Sequence, residues 1–293
     1  MKQIESIKKQ LLQTQDLSKI ITTMKNISLV NITHYERRIQ AVRQYFETIE
    51  KGFQIFLYKD SETILKDLEK QTKKPPHSLG AVVIGSKKGL CGEFNEKLFQ
   101  FFQKSIGDRK EVHIIAIGNK IASRLEQYQI QTYDFPSTNE KISDLLSDLL
   151  IVIQKWIKEK NIEEIAFFHN QIVSMPTYEP KFKSIFPLNL DWLKKLKEKP
   201  WPSHCLPTYN MKRDELFYGL AQELLFISIY RSFIESLASE NVARLISMQA
   251  AESNIEDRVA KLENNYYLQR QDQITEELFD ILSGFEELSK RND

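Results

Sequence analysis

The chain has 293 residues, 41% hydrophobic and 28% charged, with 41 basic against 40 acidic side chains; that size supports one or two cored domains, and near-zero net charge argues against bulk nucleic-acid or membrane-surface binding. Its two cysteines, Cys91 and Cys205, stand at no metal-ligand spacing, which sets aside a disulfide framework and a zinc cluster. The opening Met1 to Leu11 mixes charges through its apolar residues and no apolar run reaches the ~18 residues of a membrane helix, so the expectation is a chain neither exported nor membrane-spanning.

From the amino terminus, no proline or glycine interrupts the chain before Gly52. Alternating steps of three and four residues from Ile4 lead through Ile7, Leu11, Thr14, Ser18, Ile21, Lys25, Ser28 and Ile32 to Phe53 and Phe56, and twelve of those sixteen positions are apolar. This heptad seam predicts a helix from Lys2 to about Tyr58, ~85 Å long at 1.5 Å per residue. The four polar positions cluster between Thr14 and Ser28, where Leu17, Ile20, Met24, Ile27 and Val30 carry an apolar stripe on a shifted face. The shift predicts neighbours on more than one side of the helix.

All nine prolines lie between Pro75 and Pro207, and there the period changes. Leu79 to Ile84 and Val112 to Ile117 are short apolar runs rich in β-branched residues, each followed by a glycine and a helical pattern, Glu93 to Ile106 and Asn119 to Gln129. Ser143 to Lys158 reads as a further amphipathic helix, Ile165 to Val173 as a strand, and Tyr178 to Leu188 as an added edge strand. Strands alternating with helices predict a parallel sheet with helical crossovers, a Rossmann-like α/β domain over 75–207.

After that insert the seam returns through Phe217, Leu220, Leu224, Ile227, Arg231, Ile234, Ala238, Asn241, Leu245, Met248, Glu252, Ile255, Val259, Leu262 and Tyr266. It predicts a second helix from about Met211 to Leu288, ~115 Å long. A compact chain of this size has a radius of gyration of only ~19 Å, so such helices predict a rod. Residues 1–59 carry ten basic and five acidic side chains, whereas 251–293 carry five basic and eleven acidic. Two readings stand: the ends attract one another side by side, antiparallel, or both are solvated faces, since exposed pairs contribute little each. The expected fold is therefore α/β, a long antiparallel coiled coil of the terminal helices (1–74 and 208–293) with the insert between them.

Chemistry has few footholds. In Gly85-Ser-Lys-Lys-Gly-Leu-Cys-Gly92 the lysines precede the second glycine and no Gly-Lys-Ser follows, so the stretch departs from a P-loop; the glycine spacing also departs from the dinucleotide fingerprint. A tight turn is the plainer reading. The five histidines form no His-x-x-x-His pair and there is no Gly-x-Ser-x-Gly elbow, so no catalytic residue, metal ligand or cofactor site is expected.

Three stretches resemble a known family. They are Lys19-Ile20 with Met24-Lys25; Gly89-Leu-Cys-Gly92; and Ser236-Leu-Ala-Ser-Glu-Asn-Val-Ala-Arg-Leu-Ile-Ser-Met248 followed by Gln273-Ile-Thr-Glu-Glu-Leu-Phe-Asp-Ile-Leu-Ser-Gly284. With the two flanking helices they make the whole chain resemble the γ subunit of F-type ATP synthases, the central rotor shaft. Thr22-Thr-Met-Lys25, Tyr35-Glu36 and Lys199-Pro-Trp-Pro202 resemble most the alternate, N-type form of bacteria and archaea. One stretch departs from the family pattern: Asn26-Ile-Ser-Leu-Val-Asn31 replaces a run of small residues after the methionine.

The resemblance implies a non-catalytic subunit that transmits torque between the membrane c-ring and the α/β catalytic ring and imposes asymmetry on the β sites. Its implied partners are the α, β and ε subunits and the c-ring, and its implied place is the cytoplasmic face of a bacterial or archaeal plasma membrane, held peripherally through the complex. Carried over residue by residue, it implies partner contacts at Met24, Lys25, Lys87, Lys88, Cys91, Arg244, Gln271, Thr275 and Glu277. The residues also allow plainer roles: Met24 as packing, and Arg244 as the i,i+4 partner of Glu240. An α/β enzyme with helical oligomerisation arms would instead need a pocket at the carboxyl edge of the sheet. A non-rotary coiled-coil adaptor would account for the helices alone.

Overall fold

The computed structural model describes residues 2–71, 77–107, 109, 111–134, 139–205 and 207–291. In chain order the elements are α1 (Lys2–Gln71), β1 (Ser78–Ile84), α2 (Phe94–Ile106), β2 (Glu111–Ile117), α3 (Asn119–Ala122), β3 (Ile130–Tyr133), α4 (Asn139–Glu159), β4 (Glu164–Ser174), β5 (Thr177–Phe186), α5 (Leu190–Glu198) and α6 (Arg213–Arg291). This is the expected α/β class, with an inserted sheet between two long helices.

The heptad reading holds position by position. None of the seam residues named from Ile4 to Phe56, or from Phe217 to Tyr266, is exposed, because each lies on the stripe that a 3.5-residue repeat keeps turned to a neighbour. Two compact units are present, Met1–Ser28 with Leu245–Asp293, and Leu29–Arg244. In the first, Ile21, Met248 and Ile255 are buried against Met24, Ala251 and Val259. The polar seam positions Lys25 and Glu252 meet as an ion pair, joined by a 3.1 Å hydrogen bond from Thr22 to Glu252. In the second unit Asn31 pairs with Asn241 and Tyr45 with Glu223, so numbers rise along α1 as they fall along α6, and the helices are antiparallel. Phe53, Phe56 and Leu57, at most 1% exposed, pack there with Leu224 and Ile227 and with the buried face of α5.

The sheet of the second unit has the order β3-β2-β1-β4-β5, parallel except for the antiparallel β5. Strand β1 is buried along its whole length, which is why Leu-Gly-Ala-Val-Val-Ile reads as an unbroken apolar run: helices cover both faces. On one face Val82, Ile84, Ile115 and Phe167 pack with α4 and with Ile229 and Phe233 of α6. On the other, Leu79, Ala81 and Val83 pack with Leu98 and Phe102 of α2 and with Ile121.

Several expectations need correction. Helix α1 continues to Gln71, beyond Tyr58, since no glycine or proline follows Gly52 until Pro75. The helix expected over 119–129 is a single turn; the following turns bury Leu125, and Ile130–Tyr133 forms a four-residue edge strand whose inner partner is β2. Helix α5 was absent from the sequence expectations, although Asn189 caps it by accepting from the Trp192 amide at 3.0 Å and Leu193 and Leu196 mark its buried face. The boundary expected at residues 74 and 75 lies outside the described residues.

Candidate functional site

Helix α6 lies across the carboxyl ends of β1 and β4, where an open α/β sheet ordinarily leaves a ligand crevice. Ser236 Oγ donates to the Ile84 carbonyl at 3.1 Å, closing the end of β1. One residue earlier, Glu235 joins α6 to β4: His169 Nε2 lies 2.9 Å from its Oε2, and Arg231 Nε donates to Oε1 at 2.7 Å. His169 and Glu235 are 0% and 4% exposed at their side chains. Burial holds His169 below the ordinary imidazole value, so at neutral pH it is an uncharged ring whose Nε2–H donates. Burial pulls the Glu235 carboxyl upward, but the His169 hydrogen bond and the Arg231 guanidinium outweigh it and hold it at about 2. Glu235 is therefore ionised, with Arg231 as its counter-charge. Two buried acceptors beside this network, His169 Nδ1 and Asn170 Oδ1, have no partner among the described residues.

The glycine-rich stretch after β1 is committed inward. The Gly85 amide donates to the Ile117 carbonyl at 2.9 Å and the Ser86 amide to Asn95 Oδ1 at 2.9 Å, so the first two amides of the loop are engaged within the fold. Gly85 is required because a Cβ there would stand 2.4 Å from that of Ile121, and Gly92 because its φ is 52°. The loop folds Cys91 against Phe94, Tyr178 and Ala243 of α6. Burial pushes the Cys91 thiol up, with the Ser86 hydroxyl opposing, so it is a packed thiol and not a thiolate.

The residues expected to touch partners fall into three places. Met24 is half-buried in the packing of the first unit, and Lys25 is the ion-pair partner of Glu252. Lys87 and Lys88 are exposed at the loop tip and Cys91 is buried beneath it. Arg244 donates to Glu240 four residues before it, the pairing that the spacing allowed. Burial raises the Glu240 carboxyl, with Arg244 and Lys88 opposing that rise. Gln271, Thr275 and Glu277 are exposed; Thr275 donates to the Gln271 carbonyl at 2.9 Å and Glu277 accepts from Gln273 at 2.8 Å.

Some functional positions escaped sequence reasoning. Nothing in the local pattern ties His169 to Glu235 across 66 positions. Glu252 did carry a signal, a polar residue on the α6 seam that answers the polar Lys25 on the α1 seam.

The surface has its own feature. Of the shifted stripe on α1, Leu17, Ile20, Ile27 and Val30 are 48–70% exposed; on α6, Ile274, Leu278, Phe279, Ile281 and Leu282 are 49–66% exposed. Large apolar side chains held in water on this scale mark an interaction surface.

Comparison with known proteins follows the same lines. A family model described as ATP synthase matches residues 3–288. An ATP synthase gamma chain of Buchnera aphidicola subsp. Schizaphis graminum is 26% identical, with 96% of each chain covered. One of Ehrlichia chaffeensis is 30% identical, covering 71% of this chain and 73% of the relative. In fold, the chain is similar to one in the cryo-EM structure of the Euglena gracilis mitochondrial ATP synthase, OSCP/F1/c-ring, rotational state 3, with a TM-score of 0.67, 14% identity, and 97% and 93% of the chains covered.

Proposed function

The chain belongs to the ATP synthase gamma-chain family, and from that premise we propose which of its surfaces do the family's work. As a γ chain it is a non-catalytic central-stalk subunit, transmitting torque between the membrane ring and the catalytic ring and imposing asymmetry on the β sites. The observation that carries the assignment of surfaces is the exposed apolar stripe of Leu17, Ile20, Ile27 and Val30 with that of Ile274 to Leu282. Such stripes are unstable in water alone and suit the bore of a ring of α and β subunits. Partner contacts at Met24, Lys25, Lys87, Lys88, Cys91, Arg244, Gln271, Thr275 and Glu277 belong to the same reading.

The physical logic is differential contact. A rotor biases each β site only if the faces it presents differ in interaction free energy, and an antiparallel pair with unequal stripes presents a different face at every angle. The insert is the second part: its carboxyl edge is closed by α6 through Ser236, Glu235 and the Cys91 loop, which suits a rigid grip on the shaft better than a ligand crevice. This favours the rotor reading over an α/β enzyme with oligomerisation arms. The three-part division 1–74, 75–207 and 208–293 follows from it, as do ε and the c-ring as partners of the sheet-bearing part. Thr22 to Lys25, Tyr35-Glu36 and Lys199 to Pro202 support the N-type form, and with it the cytoplasmic face of a bacterial or archaeal membrane, reached peripherally through the complex.

The loop tip supplies the test. With Lys87→Glu and Lys88→Glu together, co-expressed with the α, β and ring subunits of the same source, the complex should assemble while ion pumping per ATP falls about fivefold or more, the low end of a typical coupling free energy. Unchanged pumping sinks the loop's role. Failure of the unaltered chain to co-purify with α and β subunits sinks the assignment of the stripes.

A further inference from the structure

A groove of about 1020 Å³ opens beside the sheet, walled by α4, β5, α5 and the first turns of α6, a volume at the upper end of the ~300–1,000 Å³ typical of ligand sites. Its wall is mostly apolar, with Leu150, Ile151, Phe186, Trp192, Phe217 and Leu225 among the lining side chains. Two cations, Lys183 and Arg213, stand in its lining. Lys183 of β5 lines the groove, and among the described residues its ammonium has neither a hydrogen bond nor an ion pair. Burial first, and then the Arg231 charge, lower its pKa to about 8.

The surrounding charges compensate it only in part: the Glu235 carboxylate favours the ammonium, while burial, Arg231 and Lys181 oppose it. Glu235 of α6 is already held by His169 of β4 and Arg231, and Lys181 of β5 adds positive charge while its own ammonium donates to Gln171. At the mouth Arg213 is paired with Asp214, and α4 contributes the neutral Gln154 and Ser147. A half-buried cation in an apolar wall, with no hydrogen bond and only a shared carboxylate nearby, is unfavourable, and the groove is shaped to supply a dedicated partner.

We propose that this groove binds a long-chain carboxylate, its alkyl tail along Ile151, Trp192 and Leu225 and its carboxylate on the Lys183 ammonium. The tail removes apolar wall from water, and the head group forms the charge-assisted hydrogen bond that Lys183 otherwise lacks. The site is separate from the ring-facing stripes and stands whether or not their assignment does.

The test is calorimetric titration of the purified full chain with dodecanoate below its micelle concentration, beside dodecanol and beside carboxylate-free vesicles of anionic phospholipid. One saturable dodecanoate site per chain is expected, with dodecanol at least about tenfold weaker, the scale of one charge-assisted hydrogen bond. Lys183→Met should bring dodecanoate down to the dodecanol level while Lys183→Arg keeps the preference, which separates lost charge from lost fold. Affinity should fall as pH rises through about 8 in the wild type and stay level in Lys183→Met. Equal binding of acid and alcohol, a Lys183→Met chain as tight as wild type, or no saturable site at all overturns the proposal. Vesicles that bind with the same Lys183 dependence overturn the carboxylate in favour of a lipid headgroup.

Discussion

Replacing Glu235 with alanine is expected to destabilise the sheet-bearing unit by roughly 3–5 kcal/mol, the cost of removing one partner from a buried ionic network. The loss is large because the carboxylate answers three groups at once. Without it the His169 Nε2–H has no acceptor, the Arg231 guanidinium loses its counter-charge, and the nearby Lys183 is left among like charges. Urea unfolding of the purified chain measures the effect, and a midpoint within error of wild type would remove Glu235 from the structural account.

The pH dependence has a definite sign. Glu235 has a folded value of about 2 against 4.5, so its stabilisation is present above 4.5 and lost as pH falls toward 2, worth at most roughly 3 kcal/mol by linkage. His169 is also held below 6.5, so the folded state binds fewer protons and stability falls as pH drops below 6.5. Acid unfolding should therefore begin below 6.5 and steepen below 4.5, and the steep lower part should disappear in Glu235→Ala.

Deleting residues 271–293 is the second large effect expected. The segment from Gln271 to Leu282 is exposed except at the half-buried Gln273, so little folding energy within the chain depends on it. The truncated chain should keep the urea midpoint of the sheet-bearing unit while ion-coupled ATP synthesis by the assembled complex falls about five- to tenfold, in the low range of a typical coupling free energy. Undiminished synthesis would show that Ile274, Leu278, Phe279, Ile281 and Leu282 bear on nothing in the ring.

The comparison between chain and structure is uneven in an instructive way. Both long helices were legible because a heptad repeat is a local property that survives without knowledge of the partner, and the seam residues from Ile4 to Phe56 are all turned inward. Strands β1, β2 and β4 were legible for a related reason, since strands covered on both faces read as unbroken apolar runs. Strand β3 was not, because a four-residue edge strand buries too little to leave a pattern and exists only by pairing with β2.

The site divides along the same line. Motif, seam and charge pattern were enough to bring out the rotor family, the shifted stripe and the pairing of Arg244 with Glu240, because each is carried by short local stretches, whether one or several along the chain. The closure of the sheet edge by α6, the joining of His169 to Glu235 and the placing of Lys183 in an apolar groove depend on residues far apart in the chain. Desolvation and charge at those points follow from what packs nearby in space, and a linear sequence does not display that distance.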